Sequence, residues 1–153
     1  MQHTMNHVNF YAVKQVIEKR RKLKEKPLPV KSPQDAYNFI NKFVELSNYA
    51  AERFGILCLN AQYEVIGISV LSIGTLQATL VSPREIFQAA LLNSAATIVL
   101  YHNHPSGDPT PSLMDIQITK RIALAGEIMG IEVIDHIVVG HECYKSLKES
   151  ELF

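Results

Sequence analysis

Ala95-Ala96-Thr97-Ile98-Val99-Leu100-Tyr101-His102-Asn103-His104-Pro105-Ser106-Gly107-Asp108-Pro109-Thr110-Pro111-Ser112-Leu113-Met114-Asp115 is the stretch that decides how this chain folds. The apolar run that ends at Tyr101 reads as a buried strand. Pro105 to Pro111 is a loop, dense in proline, glycine and aspartate. Ser112 then opens a helix as its N-cap, and Asp115 falls in the first turn, near the positive end of the helix dipole. Strand residues two apart point to one side, so His102 and His104 face a common point where the strand ends. Two neutral imidazoles and one carboxylate are three ligands for a tetrahedral divalent metal, with the fourth position left for water. That is the layout of a catalytic zinc site rather than a structural one. Taken singly, each part has a plainer reading: a polar strand end, a turn, a capped helix. The joint arrangement of strand, paired histidines, turn, cap and carboxylate favours the metal.

Outward from this stretch, helices and strands alternate. Residues 9 to 25 have helical character, with Val13, Val16, Ile17 and Leu23 on one face. Pro27-Leu28-Pro29 stops that helix and makes an extended linker. Ser32-Pro33 is a cap with proline at the first helical position, and Tyr37, Ile40, Phe43, Val44 and Tyr49 continue one helical face. Residues 54 to 60 and 63 to 71 read as a strand pair around Asn60-Ala61-Gln62, and Leu76 to Val81 as a further strand. Ser82-Pro83 starts a helix carrying Ile86, Phe87, Ala90 and Leu91. The helix over 112 to 129 presents Ile118, Ile122, Ala125 and Met129. Residues 131 to 139 are a strand, and 142 to 148 a short strand or turn. The expected fold is α/β, a layered sheet with helices packed on it.

The chain has 153 residues, 47% hydrophobic and 20% charged, which suits one soluble globular domain. No apolar run reaches transmembrane length. Met1 to His7 shows no basic segment leading into an apolar one, so no secretory signal is expected. Cys58 and Cys143 make no disulfide framework, Cys58 reads as a buried small hydrophobe, and a cytoplasmic setting is expected. The net charge of zero hides an asymmetry. Residues 1–31 hold Lys14, Lys19, Arg20, Arg21, Lys22, Lys24, Lys26 and Lys31 against Glu18 and Glu25, a net +6, and residues 32–153 carry −6. Residues 1–31 therefore read as a basic helical arm and linker, and residues 32–153 as the domain. Such an arm can be a solvated helix packed on the body, mediate a homodimer, or contact nucleic acid.

His102-x-His104, seven residues, Ser112, two residues, Asp115 resembles the JAMM signature of the JAB/MPN metallopeptidases. His-Asn-His-Pro-Ser-Gly at 102 to 107 resembles the narrower RadC branch of that superfamily. Upstream, Gly74-Thr75, Ser82-Pro83-Arg84-Glu85 and Asn93-Ser94-Ala95 continue the likeness. Downstream it continues through Asp135-His136-Ile137-Val138-Val139 and Ser146-Leu147. The resemblance covers residues 32 to 153 and implies an MPN-type α/β fold related to the cytidine deaminase architecture. Longer RadC-type chains carry a helix-hairpin-helix-like region ahead of this domain, and nothing of that region's role is carried over. Deaminase chemistry itself is not expected, because the chain has no Cys-x-x-Cys. A thermolysin-type motif is also missing, since His141-Glu142 is followed by Lys145.

The resemblance implies a zinc-dependent metallopeptidase-type hydrolase with Zn²⁺ as cofactor and a protein or peptide as substrate. His102, His104 and Asp115 would hold the metal, and Glu52 would exchange protons with water and the leaving amine. Glu52 fits the family's pattern of glutamate, one residue, an aromatic and an apolar strand; Glu64 and Glu85 are rivals. Ser112 caps the helix, and the resemblance adds a role as hydrogen-bond donor to the oxyanion. Asp135-His136 reads as a polar pair that orients the core or supports a ligand. Two other classes stay open: a non-catalytic MPN-type binding module, and a DNA-repair factor that contacts DNA through the basic arm, as the family's historical label suggests. No membrane partner is expected.

Overall fold

The computed structural model describes residues 29–74 and 81–153. The helix expected over 9 to 25, the basic arm and all but the last residue of the strand expected over 76 to 81 lie outside the described residues. Val81 is buried just ahead of a helix cap.

Helix α1 spans Pro33–Val44 and begins as expected, with Ser32 and Asp35 forming a reciprocal capping box and proline in the first turn. It stops earlier than the apolar spacing predicts. Glu45 takes a left-handed conformation at φ 55°, a short 3-10 turn follows over Leu46–Asn48, and Tyr49 falls outside any helix. Strand β1 is Arg53–Leu59 and β2 is Val65–Ile73. The expected second strand is thus displaced by two residues. The reason is Asn60, whose side-chain carbonyl accepts the N–H groups of Gln62 and Glu64 at 2.9 Å each and lengthens the turn. Helix α2 spans Pro83–Leu92 on a Ser82 cap, β3 is Thr97–Asn103, α3 is Leu113–Met129, β4 is Glu132–Val139 and β5 is Tyr144–Ser146.

The five strands form one mixed sheet in the order β2-β1-β3-β4-β5. Only β3 and β4 run parallel, joined by α3 as a β-α-β unit. Helices α2 and α3 cover one face, where Phe54, Ile56, Cys58, Ile98, Leu100 and Val133 meet Ile86, Phe87, Ile118 and Ile122. Helix α1 covers the other face, where Leu57, Leu59, Val99, Tyr101 and Ile137 meet Ala36 and Ile40. β1 and β3 are covered on both sides, which explains their unbroken apolar runs. Burial pushes the Cys58 thiol up to about 12, consistent with an inert core residue. Tyr101 reaches across β1 to donate to the Ser69 carbonyl on β2 at 2.9 Å. Gly55 makes that crossing possible, because any Cβ there would collide with the Tyr101 ring and the Ser69 carbonyl.

One irregularity matters for the site. Between β3 and β4 the register slips, so that Ile98 faces Val133 but Val99 faces Asp135. The extra residue, Ile134, reverses which side chains of β4 face which layer. Asp135 is sent to the α1 side with Val99, and His136 to the α3 side with Leu100.

Candidate metal centre

The carboxyl end of β3 and the first turn of α3 meet at one corner of the sheet. His102 closes the apolar row of Ile98 and Leu100 on the α3 side and is fully buried. His104 lies one residue past β3, yet its backbone N–H still bonds the Val139 carbonyl of β4 at 2.9 Å. The two Nε2 atoms are 2.9 Å apart. Asp115 faces both: Oδ1 is 3.5 Å from His102 Nε2, and Oδ2 is 3.5 Å from His104 Nε2. One ligand atom from each of the three residues lies within 4.8 Å of the others. The common point expected from the sequence is therefore formed by these three side chains.

Local bonds hold two of these three side chains. The Asp108 carbonyl accepts from His104 Nδ1 at 2.8 Å, which fixes the proton on Nδ1 and leaves the Nε2 lone pair facing the cluster. The loop that carries Asp108 is pinned to the β4–β5 turn by the His141 N–H bonding the Gly107 carbonyl at 2.9 Å. Gly140 allows this packing, since a Cβ there would strike the Gly107 carbonyl. Asp115 is held by its own cap. Ser112 donates its backbone N–H and its hydroxyl to Oδ2, each at 2.7 Å, and accepts the Asp115 N–H at 3.1 Å. The Ser112 hydroxyl proton is thus directed at the Asp115 carboxylate.

The electrostatics follow from crowding and burial. Desolvation opposes the charge on Asp115. The adjacent imidazoles, which donate to it only when their Nε2 atoms carry protons, and the Ser112 hydroxyl outweigh it and hold this carboxyl well below the usual carboxylate range. Burial lowers the pKa of His102, against the pull of Asp115. Asp115 raises that of His104, despite partial burial.

This arrangement fits a divalent cation. Asp115 can only accept, and His104 presents a lone pair, so the cluster gathers acceptors around one point. Ligand atoms on a tetrahedral zinc with bonds of about 2.0–2.2 Å stand about 3.3–3.5 Å apart. Each Asp115 oxygen stands at such a distance from one imidazole, Oδ1 from His102 and Oδ2 from His104, and the imidazole pair at 2.9 Å is slightly closer.

Glu52 stands one residue before β1, half-buried, with its carbonyl accepting the Gly74 N–H at 2.9 Å. Two residues on, Phe54 pairs with His102 across the sheet. The Glu52 charge favours the protonated forms of both His102 and His104. Glu64 bonds Asn60 at the far end of β1, and Glu85 is exposed in the first turn of α2.

Asn103 and Thr119 were not singled out from the sequence, whereas Asp135-His136 was. Asn103, between the two histidines, points to the other face of the sheet. It accepts the Arg53 N–H at 2.7 Å and donates to the carbonyls of Tyr49 and Ala51, tying the segment around Glu52 to β3. Asp135 and His136 part company. Asp135 accepts from the Ser146 hydroxyl and from the His136 and Lys148 N–H groups, stapling β4 to the C-terminal segment. His136 lies under the metal centre, its Nε2 2.8 Å from His102 Nδ1, and its other ring nitrogen 2.6 Å from the buried Thr119 hydroxyl. A separate cleft of about 570 Å³ opens between the start of α1 and the start of β4, on the opposite face.

Comparison with known proteins agrees with this geometry. Residues 30–152 match the RadC-like JAB domain family. A UPF0758 protein of Alkaliphilus metalliredigens is 49% identical over 123 residues, 80% of this chain and 52% of the relative. One from Caldanaerobacter subterraneus is 46% identical over 120 residues, 78% of this chain and 51% of the relative. One from Desulforamulus reducens is 42% identical over 144 residues, 92% of this chain and 63% of the relative. The chain spans about half the length of the first two.

Proposed function

We propose that this chain, which belongs to the RadC-like JAB domain family, is a zinc-dependent hydrolase of amide-type bonds in a protein or peptide. The observation that carries this reading is the convergence of His102, His104 and Asp115 ligand atoms within 4.8 Å of one another. A mixed nitrogen and oxygen ligand set suits zinc. Bound Zn²⁺ would supply Lewis acidity, polarising a carbonyl and lowering the pKa of water to about 7.

The remaining work falls to the chain. His102, His104 and Asp115 hold the cation, with Ser112 and the Asp108 carbonyl orienting two of the three. Glu52 takes a proton from the attacking water and returns it to the leaving amine. Ser112 steadies the oxyanion. For this the hydroxyl turns away from Asp115 Oδ2, which keeps the Ser112 backbone N–H at 2.7 Å. Glu52→Gln tests the assignment. The variant should bind zinc as the parent does and lose hydrolysis of amide substrates; loss of zinc from it would contradict the role of Glu52 as a non-ligand base. The charge asymmetry favours a second reading, DNA contact through the basic residues of 1–31. DNA binding that falls steeply with salt and disappears when those lysines and arginines are neutralised would support it.

A further inference from the structure

Thr119 and His136 form a second layer behind the metal centre, and proton counting fixes its direction. Thr119 is one turn after Asp115 on α3 and fully buried. Its hydroxyl lies 2.6 Å from the Asp115 carbonyl and 2.6 Å from His136 Nδ1. A carbonyl can only accept, so the single hydroxyl proton goes to Asp115. Toward His136 the hydroxyl oxygen can then only accept, and His136 Nδ1 must carry a proton. The His136 ring is fully buried, with the Thr119 hydroxyl, the His102 ring and the edge of Phe54 around it. An uncompensated charge in such a place is costly, so the ring stays neutral and its Nε2 is an acceptor. The proton in the 2.8 Å contact with His102 therefore belongs to His102 Nδ1.

We infer that Thr119 and His136 are positioning residues that lock His102 into the tautomer with a bare Nε2, aimed at the cation. The relay runs from the Asp115 carbonyl through Thr119 and His136 to His102, so one metal ligand's backbone orients another ligand's ring. It adds no negative charge behind the imidazole, unlike the carboxylates that often stand there. The helix has no need of the Thr119 hydroxyl, because the Asp115 carbonyl already accepts the Thr119 N–H within α3. Such a back-bond slightly weakens a helix, so its use here lies with His136. The bulge at Ile134 delivers His136 to this face, and the relay depends on it.

The test uses the near-isosteric Thr119→Val, with Thr119→Ser as the restoring variant and His136→Leu as the second break. Nitrogen-15 NMR of the metal-free chain reads the histidine tautomers directly and is independent of the metal reading. His102 and His136 should both carry their proton on Nδ1 in the parent and in Thr119→Ser, and lose that uniform state in Thr119→Val. Finding His102 protonated on Nε2 in the parent, or an unchanged spectrum in Thr119→Val, overturns the inference. The second arm rests on the zinc reading. By chelator competition, Thr119→Val and His136→Leu should each weaken zinc binding by about 10–100-fold, with Thr119→Ser close to the parent. Parent-like affinity in both broken variants also overturns it. A parent that binds no zinc contradicts the metal reading instead, and leaves the tautomer result to decide the relay.

Discussion

Ser112→Ala removes two of the three hydrogen bonds that join the α3 cap to Asp115: the hydroxyl to Oδ2 at 2.7 Å and the Asp115 N–H to Oγ at 3.1 Å. The third, from the Ser112 backbone N–H to Oδ2 at 2.7 Å, survives. Loss of a serine cap costs about 1 kcal/mol. Taking a donor from a buried carboxylate adds about 1 kcal/mol, at the low end because another donor remains. The metal-free variant should therefore be about 2 kcal/mol less stable. At about 2–4 °C per kcal/mol for a chain of this size, that is a fall in Tm of about 4–8 °C. Zinc should widen the gap. Loosening a ligand's hydrogen-bonded support costs at least about tenfold in affinity. Tenfold is about 1.4 kcal/mol, so at saturating zinc the difference should approach about 3.4 kcal/mol. Urea unfolding of parent and variant, with chelator and with excess zinc, measures both. A variant within about 0.5 kcal/mol of the parent in both conditions would refute the claim that the Ser112 hydroxyl holds Asp115 in place. Equal losses with and without zinc would refute the link to the cation alone.

Tyr101→Phe strips the half-buried Ser69 carbonyl of its 2.9 Å donor; it should cost about 1 kcal/mol in denaturant unfolding, and no loss would mean that carbonyl finds another partner. Gly55→Ala should cost about 1–3 kcal/mol, and a neutral result would contradict the close crossing of the Tyr101 ring. Burial raises the Asp135 carboxyl above its ordinary value, against the pull of Ser146 and two backbone N–H groups. Between the ordinary and the raised value the folded chain binds more protons than the unfolded one, so stability falls as pH rises through that window. Asp135→Asn should flatten this slope in urea titrations run from about pH 4 to 7; an unchanged slope would assign it to another group.

The candidate metal site was legible because its geometry is local. A spacing of two at a strand end and a capping box three residues long bring His102, His104 and Asp115 together without any distant contact. The described helices and the buried strands were legible for the same reason, through serine caps and unbroken apolar runs, while the order of the strands in the sheet was not. Asp135-His136 was legible as a supporting pair, but which of the two lies against His102 was not, because that depends on a bulge. Strict alternation from Val133 would turn Asp135, not His136, toward the metal, and nothing in Val133-Ile134-Asp135 announces that Ile134 is extra. Thr119 had a readable signal in its spacing of four from Asp115, which puts both on one side of α3. Asn103 carried no readable signal, since its bonds go to Tyr49, Ala51 and Arg53, about fifty residues away in the chain. The early end of α1 came from Glu45, a non-glycine residue at φ 55°, a position where helix termination usually uses glycine.

Whether His102, His104 and Asp115 hold a metal is decided by elemental mass spectrometry of the purified protein. One zinc per chain is expected in the parent, and almost none in His104→Ala and Asp115→Ala. A parent without metal after reconstitution with zinc, or variants that hold as much as the parent, would contradict the account.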